Sequence, residues 1–204
     1  MMPLPRLYAI ADASFGDPVR NAEMLFHGGA RLVQVRNKKG SARELLQQVE
    51  RILSFAPIDS HVIVDDRVDV ALIAAAGGVH LGQTDLPAID ARRILGLARI
   101  IGFSTHNFEQ ALHADRLPVD YIAVGPIFPT ATKENPDPVV GLQTLARICK
   151  TVRKPVVAIG GITIENAVEV LHAGASSIAV IRDVLDSPDV HSQVQRWIQL
   201  LNVA

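Results

Sequence analysis

Apolar and polar positions follow two interleaved rhythms along this chain. Short apolar or β-branched runs occur at LYAIA (7–11), LVQVR (32–36), HVIV (61–64), GVHL (78–81), IIGFS (100–104), YIAVG (121–125), PVVAIG (155–160) and SIAVI (177–181). Between them lie longer stretches such as ARELLQQVERILSF, VDVALIAAA, AIDARRILGL, FEQALHA, LQTLARICKTV, IENAVEVLHA and VHSQVQRWIQLL. Their apolar residues recur at i, i+3, i+4 and i+7, the spacing of a helix with one buried face, whereas the short runs predict strands. Gly29, Gly77 and Gly174 each fall between a helical stretch and the next strand. They suit the left-handed position that ends a helix.

Eight strands, each followed by a helix at a repeat of roughly 20–30 residues, predict parallel βαβ units. An open doubly wound sheet that binds a dinucleotide should carry G-x-G-x-x-G after an early strand. LYAIADASFG carries no such motif. The count of eight, with no break in composition, predicts a closed (β/α)8 TIM barrel spanning 1–204 as a single domain. The chain is below the ~250 residues typical of that fold, so most loops are expected to be short.

Composition narrows the partners. Apolar residues make up 49% and charged residues 20%, a globular balance. A net charge of −1 gives no support for a nucleic-acid or anionic-membrane partner. Cys149 is the sole cysteine, which leaves no disulfide framework and no cysteine metal site. No apolar run reaches the ~18–20 residues of a membrane span, and MMPLPRLYAIAD lacks the layout of a signal peptide. A cytoplasmic protein is expected, and homo-oligomer formation stays open.

In such barrels the active site is built from the segments after the C-terminal ends of the strands. Strand two ends in 34-QVRNK-38, where Gln34 and Arg36 share a face and Lys38 continues it. A strand buried on both sides should be continuously apolar, so the charges need a reason. They are either a solvated strand end or a cationic pair for phosphate or diphosphate, Arg as a planar fork and Lys as a point charge. Strand three ends in 65-DDR-67 and strand four in 82-GQTDLP-87. Carboxylates from adjacent strand ends facing Arg and Lys suit a magnesium diphosphate site. The competing reading makes Asp85 the N-cap of a helix opening at Leu86-Pro87. Ser104 and Thr105 could likewise cap the helix after strand five. The pair 160-GG-161 after strand seven, with the end of strand eight at Ile181, falls where this fold recurrently binds phosphate. His80 alternates with Val79 and Leu81 and should point into the barrel, where a satisfied core histidine is the simpler reading than a catalytic base.

These residues together resemble the thiamine-phosphate synthase family. QVRNK is similar to that family's Q-x-R-x-K, and VDDRVDVALIAAAGGVHLGQTDLP to its I-N-D-R…G-V-H-L-G-Q-x-D-L-P. GFSTH, VGPIFPTATK, AIGGI and IAVI fall in the family's order, and the match covers about residues 7–183. The resemblance implies a magnesium-dependent transferase. It would join hydroxymethylpyrimidine diphosphate to hydroxyethylthiazole phosphate, giving thiamine monophosphate and diphosphate. It implies Arg36, Lys38 and Lys133 on the diphosphate, Asp66 and Asp85 on Mg2+, and Gln34 and Ser104 lining the pyrimidine and diphosphate site. Thr130, Thr132, Gly161 and the backbone at Ile181 and Arg182 would hold the thiazole phosphate. Asp65 and Arg182 depart from the Asn and Ser usual in the family, and Asp65 adds a carboxylate beside a diphosphate. A thiazole tautomerase branch shares the fold and the GGI…IAV site but tends to lack the D-R, Q-x-D-L-P and P-T-x-T-K elements. A phosphate-binding barrel without synthase activity is the alternative of another class.

The segment 126-PIFPTATKENPDPVVG-141 is too long and proline-rich for a strand, helix or tight turn. Long segments of this kind in compact folds are usually functional. A lid carrying Thr130, Thr132 and Lys133 is the expectation.

Overall fold

The computed structural model describes residues 4–130 and 137–203. Its strands are β1 (Leu7–Asp12), β2 (Leu32–Arg36), β3 (His61–Asp65), β4 (Gly78–Leu81), β5 (Ile100–Thr105), β6 (Tyr121–Val124), β7 (Val156–Ile159) and β8 (Ser177–Val180). All neighbours pair in parallel, and β8 returns to β1 through the register Leu7↔Ile178, which closes the barrel. The helices on the outside are α1 (Pro18–His27), α2 (Ala42–Phe55), α3 (Val68–Ile73), α4 (Ala88–Leu95) and α5 (Phe108–Ala114). They continue with α6 (Gly141–Thr151), α7 (Ala167–His172), the short α8 (Arg182–Leu185) and α9 (Val190–Val203). The fold expected from the two rhythms is the one found. The sequence pattern alone did not separate α8 from the end of β8.

Local chemistry explains the element ends. Ser41 and Glu44 form a reciprocal capping box at the start of α2, which satisfies two orphan amides. Asp17 accepts from the Val19 N–H at α1, where Pro18 already has the helical φ. At α5 the cap is Asn107, whose side chain accepts from the Gln110 N–H. Neither Ser104 nor Thr105 is the cap, because β5 runs through both. The Thr105 hydroxyl donates instead to the Ala123 carbonyl at 2.9 Å. Gly77 also departs from expectation. The left-handed residue after α3 is Ala75, at φ 55. Gly77 serves close approach, since a Cβ there would lie 3.1 Å from the Val62 carbonyl oxygen.

Two apolar cores result from the period-two alternation of the strands. The larger lies between the outward strand faces and the helices and includes Val33, Val64, Ile101 and Trp197. At about 1.5–3 kcal/mol for each large side chain fully withdrawn from water, this layer dominates stability. The smaller fills the barrel itself with Tyr8, Ile10, Leu32, Ile63, Tyr121, Ala123, Val157 and Ala179. Gly102 makes room in it, because a Cβ on β5 would sit 2.0 Å from the Tyr121 ring.

The segment after β6 is pinned at both ends. Ile127 and Phe128 donate backbone hydrogen bonds of 3.0 Å to the Ile159 and Gly160 carbonyls, and Val140 donates to Pro126 at 2.8 Å. Ile127 is fully buried, with Phe128 and Val140 packed on the core. Apolar residues therefore anchor both of its ends. Thr132 and Lys133 lie outside the described residues.

Candidate active site

A cavity of about 1000 Å³ opens at the C-terminal end of the barrel. From the end of β2 it receives Gln34, Arg36 and Lys38, and from β3 Asp65 and Asp66. His80 and Asp85 line it after β4, Ser104 at β5 and Thr130 after β6. Gly161, Ile181 and Arg182 complete the wall after β7 and β8. Every described residue singled out from the sequence is thus in one place, because each sits at or just past the same end of a strand.

One side of the cavity is a lattice of cations and carboxylates. Lys38 Nζ stands 2.5 Å from Asp66 Oδ2 and 3.0 Å from Asp65 Oδ2. Arg36 Nε lies 3.6 Å from Asp65 Oδ2, and its Nη1 donates to Asp12. Asp12 is 2% exposed and in register with Arg36 across the β1–β2 ladder. It had escaped the sequence reading, although its place as the last residue of LYAIAD was the available signal. Asp65 Oδ2 is sealed from solvent and accepts no hydrogen bond, so Lys38 meets it as a charge off the hydrogen-bond axis. Burial pushes the Asp65 carboxyl up to about 6 against the pull of Lys38 and Arg36, with Asp66 adding to the rise. Burial works to lower the Lys38 ammonium, but Asp65 and Asp66 outweigh it and hold it above its ordinary value.

Asp66 is at φ 59, a left-handed conformation rare outside glycine and best tolerated by Asp and Asn. Its N–H is fixed to the His80 carbonyl at 2.8 Å, which ties the end of β3 to β4. Asp85 does not cap α4. That helix begins at Ala88 after Pro87, and Asp85 Oδ2 accepts the Gly82 N–H at 2.6 Å instead. Burial raises the Asp85 carboxyl, the Gly82 N–H offsets part of this, and the neighbouring Asp66 carboxylate adds to the rise. A carboxyl raised by the carboxylate beside it belongs to a donor set a divalent cation would relieve. No group of three or more His, Cys, Asp or Glu converges on a point among the described residues. A diphosphate-bound magnesium, which keeps waters and phosphate oxygens, requires no more than the two carboxylates.

The floor is polar as well as apolar. His80 is 9% exposed and stacks on Tyr121 with centroids 5.6 Å apart. Its Nδ1 lies 2.9 Å from the Tyr121 hydroxyl and its Nε2 2.8 Å from Ser104 Oγ. It is the satisfied interior histidine expected, yet it also faces the cavity. Tyr8 and Tyr121 were not anticipated as part of the site. Both read as core aromatics, and only the strand parity that puts them inside the barrel hinted otherwise.

The opposite wall is backbone. Gly160 and Gly161 are at φ 96 and 67, where side chains are strained. A Cβ on Gly161 would lie 2.5 Å from the Pro129 carbonyl oxygen and 2.8 Å from Phe128. The loop after β7 is therefore pressed against the start of the segment after β6. Beside it the chain turns at Ile181 into α8, which Asp183 fastens by accepting from Trp197 Nε1 at 2.6 Å.

A parallel barrel with cations and carboxylates on one wall of the cavity and a glycine-lined backbone on the other defines an enzyme class. It is that of the (β/α)8 enzymes, whose sites lie at the C-terminal ends of the strands. A family model described as thiamine monophosphate synthase matches residues 7–184. A thiamine-phosphate synthase of Koribacter versatilis is 46% identical over 98% of this chain and 97% of its own length. Another, of Chlorobium phaeovibrioides, is 46% identical over 91% of this chain and 88% of its own. The solved thiamine phosphate pyrophosphorylase of Pyrococcus furiosus superposes with a TM-score of 0.88 at 36% identity, over 98% of this chain and 96% of that one. The chain belongs to the thiamine-phosphate synthase family, the transferases of thiamine biosynthesis.

Proposed function

We propose that the chain transfers the hydroxymethylpyrimidine group from its diphosphate to hydroxyethylthiazole phosphate, giving thiamine monophosphate and diphosphate. The observation that carries this is the placement of Arg36 and Lys38 against Asp66 and Asp85 across one cavity from Gly161 and the start of α8. Breaking the methylene C–O bond leaves its electron pair on diphosphate, and the thiazole nitrogen lone pair forms the new C–N bond. The product ring is cationic, so no side chain need act as nucleophile or accept a proton. The catalytic task is to neutralise the leaving group and align the two partners.

Arg36 and Lys38, with Lys133 from outside the described residues, are the diphosphate cations in this reading. Asp66 and Asp85 hold Mg2+, which supplies further neutralisation when bound. Ser104 and Gln34 line the pyrimidine and diphosphate region beside Asp65. Thr130, Thr132, Gly161 and the backbone of Ile181 and Arg182 receive the thiazole phosphate, and the Arg182 guanidinium adds a cation there. The described ends of the segment after β6 are anchored, and the lid expected of its centre lies outside the described residues. Among the described residues no helix is long and apolar enough to cross a membrane. The substrates of this reading are small molecules, and the reaction is assigned to the cytoplasm.

The test is formation of thiamine monophosphate and diphosphate from the two substrates across a magnesium series. Product that needs both substrates and rises with magnesium supports the reading. No product at any magnesium concentration overturns it.

A further inference from the structure

The cavity floor holds a continuous hydrogen-bonded chain whose two ends both reach the site. Gln34 Nε2 donates to the Tyr8 hydroxyl at 2.9 Å, and the Tyr8 and Tyr121 hydroxyls meet at 2.9 Å. The Tyr121 hydroxyl lies 2.9 Å from His80 Nδ1, and His80 Nε2 lies 2.8 Å from Ser104 Oγ. Burial pushes both phenols above their ordinary range, so each keeps its single proton. A neutral imidazole also has one N–H and one acceptor nitrogen.

A buried hydroxyl proton left without an acceptor is costly, so with every proton used within the chain the direction of one bond fixes every other. With Gln34 donating to Tyr8, Tyr8 must donate to Tyr121 and Tyr121 to His80 Nδ1. His80 then carries its proton on Nε2 and donates to Ser104. The Ser104 O–H is released to donate into the cavity, while Gln34 Oε1 is left as an acceptor. Turning the Gln34 amide over reverses every bond and exchanges the two roles.

We propose that Tyr8, Tyr121 and His80 are positioning residues that couple the Gln34 amide to the Ser104 hydroxyl, so that the cavity offers an acceptor at one wall and a donor at the other. Rested on the synthase reading, the chain presents Gln34 Oε1 to a ring-bound N–H and the Ser104 O–H to a phosphate oxygen. Neither role belongs to one residue alone. Low local dielectric makes such chains cooperative, and a mutation cycle is the clean way to expose it.

Once ionised, the Gln34→Glu carboxylate can only accept, which reverses the chain and leaves Ser104 donating to His80, so the cycle is run at alkaline pH. In the wild-type background Ser104→Ala should lower kcat/KM by about tenfold, the loss of one donor to a charged oxygen. In Gln34→Glu the same replacement should cost less than about twofold, since the hydroxyl no longer donates into the cavity. Adding Tyr121→Phe to Gln34→Glu cuts the chain, and the cost of Ser104→Ala should return to about tenfold. Tyr8→Phe cuts the chain one bond earlier and serves if the Tyr121 variant does not fold. An equal cost of Ser104→Ala in every background overturns the coupling. The cycle is read a second time in the calorimetric affinity for inorganic diphosphate with magnesium, where unequal costs support the coupling without turnover. A wild type that makes no thiamine monophosphate therefore overturns the reading of the reaction and not the chain.

Discussion

Lys38 Nζ donates a 2.5 Å hydrogen bond to Asp66 Oδ2 across the gap between the ends of β2 and β3. The contact neutralises a carboxylate that the proposed function assigns to magnesium, with a cation that it assigns to diphosphate. The two partners share one wall of the cavity and must therefore part when substrate and metal arrive. Removing Lys38 should free Asp66 for a cation while stripping the diphosphate of a counter-charge. Lys38→Met is expected to raise magnesium affinity of the substrate-free protein by about threefold, the worth of a half-exposed ion pair. Turnover should fall by about 100-fold. Calorimetric magnesium titration beside steady-state rates checks both, and unchanged turnover would remove Lys38 from the diphosphate site.

Asp65 carries a pH prediction. Its folded carboxyl titrates at about 6 against an ordinary 3.8, so the native state holds the proton more tightly than the unfolded chain. The penalty for ionising it is absent below the ordinary value, grows as pH rises through that window, and is complete above about 6. Linkage caps the penalty at about 3 kcal/mol. Asp65→Asn should thus gain stability over wild type as pH rises from about 4 to 7 in chelator, with little difference at the acid end. Denaturant unfolding at several pH values measures this, and parallel curves would contradict it. Turnover of Asp65→Asn with magnesium and both substrates should equal or exceed wild type, because Asn keeps the shape without a charge opposing diphosphate.

Much of this was legible in the sequence, and the exceptions have physical causes. The barrel, the strand limits to within a residue or two and the cluster at strand ends follow from periodicity, because burial on a parallel sheet dictates side-chain type. QVRNK, DDR and QTDLP stood out as charges where apolar residues belong. Asp12 did not stand out, since a single acid closing an apolar strand is ordinary until its register with Arg36 is known. Tyr8 and Tyr121 escaped for the opposite reason. They satisfy the apolar pattern, and only the three-dimensional meeting of their hydroxyls shows them as polar. Asp85 and Ser104 looked like caps because capping and ligand binding use the same side-chain oxygens. Which use applies depended on where α4 and α5 begin, the least predictable part of a helix.

Asp85 and Lys133 test the metal and the diphosphate separately. Asp85→Ala removes both a carboxylate and the acceptor for the Gly82 N–H, so about 1 kcal/mol of stability should go with the activity. Asp85→Asn retains an oxygen for Gly82, and is expected to keep wild-type stability while losing magnesium-dependent turnover. Lys133→Ala is expected to abolish turnover with an unchanged circular dichroism spectrum. Retained turnover in any of the three removes that residue from the site.

Gly161 makes the last test, one of backbone and not of charge. At φ 67, with an added Cβ 2.5 Å from the Pro129 oxygen, it has no room for a side chain. The Gly160 carbonyl meanwhile accepts the Phe128 N–H at 3.0 Å, so the loop after β7 and the segment after β6 cannot separate without losing that bond. Gly161→Ala must therefore push Pro129 outward, carrying Thr130 with it, and widen the phosphate wall from both sides. Strain of this kind costs about 1–3 kcal/mol, which should appear as a lowered melting temperature. The KM for hydroxyethylthiazole phosphate should rise by about tenfold or more, while the affinity for hydroxymethylpyrimidine diphosphate stays within about twofold. That split distinguishes a local change at the thiazole phosphate wall from general loosening of the barrel. Equal losses for both substrates would mean that Gly161 serves folding alone.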